Sequence, residues 1–209
     1  MKAVAFELKT ANDSIVNIDK PTPSPSQVLV RVKKSALDTS PQAVVSKSMI
    51  GFFLHAKTNP LVLGWHYVGT IEAVGEDVSD FEVDDVVWGF LQYEPSQKQG
   101  AFSEYITIHE KECAHAPGNV DETVLAAAGT ETITALQGLR DAGGLTKGKS
   151  VLILGAGGSV GSAAVQIAKR LEASHVTAVC STKDVQRVKG FGADTVIDRS
   201  KEDVYEYGS

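Results

Sequence analysis

The chain has 209 residues, a formal net charge of −6 and no dense run of Lys or Arg, which argues against a nucleic-acid partner. At 43% hydrophobic and 22% charged residues it has the composition of a soluble globular protein, and no stretch approaches the length of apolar chain that a membrane helix needs. Its two cysteines, Cys113 and Cys180, stand far apart without a CxxC spacing, so neither a disulfide framework nor a cysteine zinc site is indicated. The N-terminus, MKAVAFELK, alternates like a strand and lacks a cleavable apolar core, so a cytoplasmic location is expected.

The first part of the chain reads as short strands between turn signals, the pattern of a small barrel or sandwich. Residues 2–8 alternate, with Ala3, Ala5 and Glu7 on one face. Residues 15–18 and 28–32 are further strands, separated by the proline-punctuated loop 21–26. The stretch SALDTSPQ, from Ser35, reads as a strand end turning into a short helix that Asp38, Thr39 or Ser40 would cap. Met49 to Leu54 is an apolar loop placed to lean over a cleft. Residues 61–75 are strand, glycine, strand, punctuated by Gly64, Gly69 and Gly75. Residues 83–90 and 101–108 are two further strands around a polar loop. Asp121 is the expected N-cap of a helix over 122–139, whose middle carries Thr130, Glu131, Thr132 and Thr134. These face either a cavity or solvent.

From Ser150 the pattern changes. An apolar strand, 151–154, precedes a helix over 158–172. A strand over 175–180, a helix over 183–191 and a third strand over 195–197 follow. Strand, helix, strand, helix, strand is the parallel doubly wound unit. Two domains are expected, a β-rich one over 1–120 and an α/β one over 121–209. The turn GAGGSVG places glycines at 155, 157, 158 and 161. It misses GxGxxG, because position 160 is Val, and meets Gly155-x-x-Gly158-x-x-Gly161 instead. Gly158 would let the backbone approach a pyrophosphate and Gly161 would let helix and strand pack closely, with Ser159 and Val160 opening the helix that points its free amides at the phosphates. About 20 residues on, where an acid would grip a ribose 2′-hydroxyl, stand Cys180, Ser181, Thr182 and Lys183, with Asp184 one step into the helix. A hydroxyl and a cation suit a 2′-phosphate, so NADPH is expected over NADH, with Ser181 and Lys183 holding that group.

The segments GWHYVG (64–69), TALQGL (134–139), DAGGL (141–145), VLILGAGGSVGSAAVQIAK (151–169) and CSTKDVQRVKGFGAD (180–194) together resemble the medium-chain dehydrogenase/reductase superfamily. Within it the chain resembles the zinc-independent, zeta-crystallin-like quinone oxidoreductase branch. The resemblance implies a GroES-like β-barrel followed by a Rossmann sheet. It implies NADPH-dependent hydride transfer to quinones or α,β-unsaturated carbonyls, and a homodimer in the full-length form. It places Thr134 beside the nicotinamide. Asp38 and His66 are cleft candidates, Asp38 otherwise reading as a helix cap and His66 as a hydrogen-bonded barrel residue. Trp65 and His66 stand where zinc-bearing relatives carry His and Glu, so no metal is expected. Asp38 stands where many quinone reductases carry Asn, Ala43 near where they carry Tyr, and Ser159 replaces a common glycine. The family continues well past a third Rossmann strand, so this chain reads as an incomplete Rossmann domain and a fragment of a longer protein. An enoyl-thioester reductase and a non-catalytic NADPH-binding protein are the competing readings, since fold alone does not separate them.

Overall fold

The computed structural model describes residues 1–7, 12–37, 61–92 and 100–204, which form two compact units, Met1–Gly129 and Thr130–Ser209. The expected helix at Asp38, the loop 49–54, Ala43 and most of the polar loop after residue 92 lie outside the described residues.

The first unit is built on a curled antiparallel sheet. Its larger sheet has five strands in the order β7-β3-β5-β6-β8: β3 (Gln27–Lys34), β5 (His66–Val74), β6 (Val86–Phe90), β7 (Tyr105–His109) and β8 (Cys113–His115). A three-stranded sheet, β2-β1-β4, joins β1 (Lys2–Glu7), β2 (Asn12–Asn17) and β4 (Leu61–Val62). The two sheets are tied where Val4 N–H donates to Phe102 O at 2.7 Å and Glu104 N–H donates to Lys2 O at 3.0 Å. Alternation along β1 holds as far as Ala3 and Ala5, which are buried, while Val4 is exposed. The core is Val28, Val30, Trp65, Tyr67, Ile71, Val87 and Ile106. Curvature comes from register shifts between β3 and β5 at Leu29/Val30 and Val32/Lys34. It also needs Gly69, where an added Cβ would lie 2.3 Å from the Arg31 carbonyl oxygen.

Two differences from the sequence reading have local causes. The strand expected from Val83 begins only at Val86, because Asp84 takes a φ of 76° and Asp84 N–H pairs with Ile71 O in a tight connection. The helix expected over 122–139 is broken. Asp121 caps α1 (Glu122–Ala127) by accepting from Thr123 N–H at 2.7 Å, as expected, but Ala128 ends that helix. A second helix, α2 (Gly129–Leu136), follows and runs into a wider π-turn over Gln137–Ala142. The break falls where Gly129 lies against the His66 ring, and an added Cβ would sit 3.0 Å from Nδ1.

The second unit carries a three-stranded parallel sheet in the order β11-β10-β9: β9 (Ser150–Leu154), β10 (His175–Cys180) and β11 (Thr195–Asp198). Crossovers run through α3 (Ser159–Arg170) and α4 (Val185–Gly190). Ala164, Val165 and Ala168 of α3 and Val188 of α4 pack on Ile153, Val176 and Ala178, which buries one face of the sheet. The other face keeps Leu152 and Leu154 exposed, at 53% and 67%. Strand, helix, strand, helix, strand in a parallel sheet is the arrangement of one half of a Rossmann fold.

Candidate functional site

The site is the turn between β9 and α3. β9 ends in the apolar run Val151–Leu154, and Gly155 turns the chain with a φ of 72°, a conformation that a side chain disfavours. The turn is pinned from both ends. Ala156 is fully buried and its N–H donates to Val179 O at 2.9 Å, while Gly158 N–H donates to Gly155 O at 2.9 Å.

The four glycines then do two different things. Gly155 has open space where its Cβ would be, and a Cβ on Gly158 would meet nothing nearer than Gly155 O at 3.4 Å. These two keep the upper surface of the turn bare. Gly161 is closed, since its Cβ would lie 2.3 Å from Gly155 O and 2.8 Å from Ala156 Cα. That is the close helix–strand packing the spacing predicts. Gly157 is also closed, but by a side chain: the carboxylate of Asp184 would be 2.5 Å from its Cβ. Gly158 is the N-cap of α3 with no side-chain cap, so the first-turn amides of Ser159, Val160 and Gly161 face outward with no intrahelical acceptor. Bare backbone, a helix N-terminus and no acidic residue in the first turn fit a pyrophosphate, so the residues present accommodate a dinucleotide.

The tip of β10 is more elaborate than its sequence. A 3₁₀ turn over Thr182–Asp184 doubles the chain back, with Asp184 N–H donating to Ser181 O at 2.9 Å. Asp184 therefore comes to lie over Gly157. One of its oxygens accepts from the Ser181 hydroxyl at 2.8 Å and the other from the Arg187 guanidinium at 2.6 Å. Arg187 also donates to the Gly157 carbonyl at 2.6 Å. The Arg187 hydrogen bond, and then that of Ser181, hold the Asp184 carboxyl below its ordinary value. Lys183 is exposed, and its charge acts in the same direction on Asp184. Thr182 bonds to the buried Asp198 instead, which lowers that carboxyl in turn. Asp184 and Arg187 were not foreseen. A count of residues along the chain puts Asp184 past the strand tip, and only the 3₁₀ turn returns it.

The other expected residues are dispersed. Thr134 is exposed on α2. His66 is 1% exposed at the start of β5, opposite Phe90, and its carbonyl accepts from the Ser35 hydroxyl at 2.6 Å. Asp38 lies outside the described residues. The two cysteines are engaged elsewhere. The Cys113 thiol donates to Glu110 O at 3.2 Å, and desolvation with help from Glu110 and Glu112 pushes it up to about 12. Cys180 is buried at the end of β10, where desolvation raises it too. No helix among the described residues is long and apolar enough to cross a membrane.

Residues 24–118 match the alcohol dehydrogenase GroES-like domain. The chain is 35% identical over 188 residues to the mouse protein named "NAD(P)H oxidoreductase RTN4IP1, mitochondrial", covering 83% of this chain and 46% of that one. It is 34% identical over 192 residues to 2-methylene-furan-3-one reductase of Solanum lycopersicum, covering 89% and 48%. The solved quinone oxidoreductase of Pseudomonas syringae superposes with a TM-score of 0.84 at 29% identity, covering 99% of this chain and 61% of that one. The chain thus spans about half the length of the curated relatives it matches.

Proposed function

We propose, for a chain that belongs to the medium-chain dehydrogenase/reductase superfamily, that it carries the adenosine-binding half of a nicotinamide-dinucleotide site. The reaction it serves in this reading is the reduction of quinones or α,β-unsaturated carbonyls. The observation that carries the reading is the turn at 155–161, bare at Gly155 and Gly158, packed shut at Gly161, and set against the first turn of α3. A 2′-phosphate is the preferred ribose substituent, with Ser181, Lys183 and Arg187 grouped at the tip of β10.

Bound there, the dinucleotide supplies a hydride. The chain's own residues hold and orient it. Gly158 admits the pyrophosphate to backbone contact, and the amides of Ser159, Val160 and Gly161 face its charge. Thr134 offers an exposed hydroxyl on α2 for the reacting end. Asp38 and His66 are the remaining candidates on the substrate side, His66 as a buried residue that positions its neighbours. The chemistry proposed is zinc-free. By the resemblance, Trp65 and His66 stand where zinc-bearing relatives carry ligands, the Cys113 thiol is bonded to Glu110 O, and Cys180 is buried. Catalysis then rests on positioning and on donors aimed at the developing enolate or quinol oxygen. The relatives named as NAD(P)H oxidoreductase, quinone oxidoreductase and furanone reductase support this class.

The test is NADPH consumption, followed optically, with 9,10-phenanthrenequinone and a short enal as acceptors, using the protein at its native length. Turnover with either acceptor is expected. Tight NADPH binding with no turnover of any quinone, enal or enoyl thioester would overturn the catalytic half of the proposal and favour a binding protein.

A further inference from the structure

Two donors suited to a 2′-phosphate, the Ser181 hydroxyl and the Arg187 guanidinium, are both occupied by one carboxylate of the same chain. Asp184 accepts from Ser181 at 2.8 Å through one oxygen and from Arg187 at 2.6 Å through the other. Asp184 and Arg187 both lie against the phosphate turn. Asp184 reaches to within 2.5 Å of where a Cβ on Gly157 would be, and Arg187 donates to the Gly157 carbonyl at 2.6 Å. In a Rossmann half, the space beside the glycine turn at the tip of the second strand is where the adenosine ribose lies. We propose that Asp184 and Arg187 form a selector for the ribose 2′ substituent, in which Arg187 is the partner of a 2′-phosphate and Asp184 is an internal competitor that occupies Arg187 in its absence.

The physical basis is substitution of one anion for another. Asp184 is only 15% exposed and Arg187 49% exposed, so the guanidinium has a solvent-facing side while the carboxylate is largely enclosed. A planar guanidinium can accept a second anion in bidentate fashion, whereas an exposed lysine such as Lys183 offers a mobile point charge. Arg187 is also held by a second acceptor, the Gly157 carbonyl, so it stays beside the turn when a ligand arrives. Asp184 works in the opposite direction. It repels the 2′-phosphate and can accept from a 2′-hydroxyl, as the acid of NAD-preferring sites does. The chain therefore carries both elements of 2′ recognition in one hydrogen-bonded unit, and their balance sets the preference.

This inference rests on the dinucleotide reading above, so the test separates the two. Adenosine 2′,5′-bisphosphate and 5′-AMP differ only in the 2′-phosphate and need only the adenosine half of the site. Their dissociation constants are measured by calorimetry on the 209-residue chain and on Asp184→Asn, Arg187→Gln and Lys183→Gln, each checked for folding by circular dichroism. Asp184→Asn should raise the preference for the bisphosphate at least tenfold. Arg187→Gln should lower bisphosphate affinity about tenfold and leave 5′-AMP within twofold. Lys183→Gln, which removes a mobile point charge, should also lower the preference for the bisphosphate, but by less than Arg187→Gln does. If both ligands bind but neither Asp184→Asn nor Arg187→Gln changes the ratio, or Lys183→Gln alone carries the change, the selector is refuted while the dinucleotide site stands. If neither ligand binds at millimolar concentration, the dinucleotide reading and the selector fall together.

Discussion

Gly161→Ala and Gly158→Ala test whether the two glycines have separate duties, one in packing and one in ligand approach. At Gly161 the new methyl would lie 2.3 Å from Gly155 O and 2.8 Å from Ala156 Cα, both backbone atoms. Relief requires helix and strand to part by about 1 Å in an interior packed like an organic crystal. Gly155 and Ala156 cannot drift freely, because Ala156 N–H is tied to Val179 O and Gly158 N–H to Gly155 O. Overpacking of this kind costs about 1–3 kcal/mol, and a weakened hydrogen bond adds about 1 kcal/mol. Alanine's better helix propensity returns at most about 1 kcal/mol. The expected net loss is about 2 kcal/mol in the second unit. At Gly158 the nearest atom to a new Cβ is 3.4 Å away and the backbone, at φ −83° and ψ 174°, suits any residue. Gly158→Ala should therefore change stability by less than about 1 kcal/mol, yet weaken 5′-AMP or NADPH binding about tenfold by filling the phosphate approach. Trp65 and Trp88 both lie in the first unit, so tryptophan fluorescence does not report on this region. Native-state hydrogen exchange at Ala156 and Val176 does. A Gly161→Ala protein whose exchange protection there equals that of the parent would refute the packing argument. A Gly158→Ala protein that binds normally would refute the approach argument.

Three further outcomes are expected. The Asp194 carboxyl is held below its ordinary value, first by Lys169 at 2.9 Å and then by Val176 N–H at 2.7 Å. A lowered folded value means that its stabilisation is complete above about pH 5 and is lost as pH falls below 4. Asp194→Asn should cost about 1 kcal/mol at pH 7 and shrink the difference from the parent in acid, as urea titrations at pH 7 and pH 3.5 would read; an equal difference at both would refute the linkage. Cys113, with its thiol pushed up to about 12 and half-buried, should label with Ellman's reagent far more slowly at pH 8 in the folded than in the unfolded protein; equal rates would refute the assignment. Tyr67 is fully buried and its hydroxyl has no hydrogen-bond partner among the described residues, so Tyr67→Phe should be neutral or stabilising by up to about 1 kcal/mol. A loss above 1 kcal/mol would show that the hydroxyl has a partner after all.

What sequence reading could reach here depended on whether a feature was encoded over a few neighbouring residues or over distant ones. The β9–α3 unit was legible because each of its requirements is local: an apolar run, a glycine at positive φ, a second glycine six residues on for close packing. The barrel strands were legible for the same reason, through alternation and glycine punctuation. The break at Gly129 was not, because residues 122–139 carry an unbroken helical pattern and the interruption falls where the chain meets the His66 ring, more than sixty positions away. β8 escaped because EKECAH carries no alternation, and its pairing with Val87, Trp88 and Gly89 is set by the sheet. The strand tip is the instructive case. Spacing rules measure distance along the chain and assume that β10 passes directly into a helix. Here a single 3₁₀ turn intervenes, and it converts Asp184 from a residue one step into the expected helix into the carboxylate beside Gly157. The same turn brings Arg187 back to the Gly157 carbonyl, so the chain's anion partner and its anion competitor arrive together. A short turn of this kind thus changes which side chains lie beside the glycine motif without altering a residue of it.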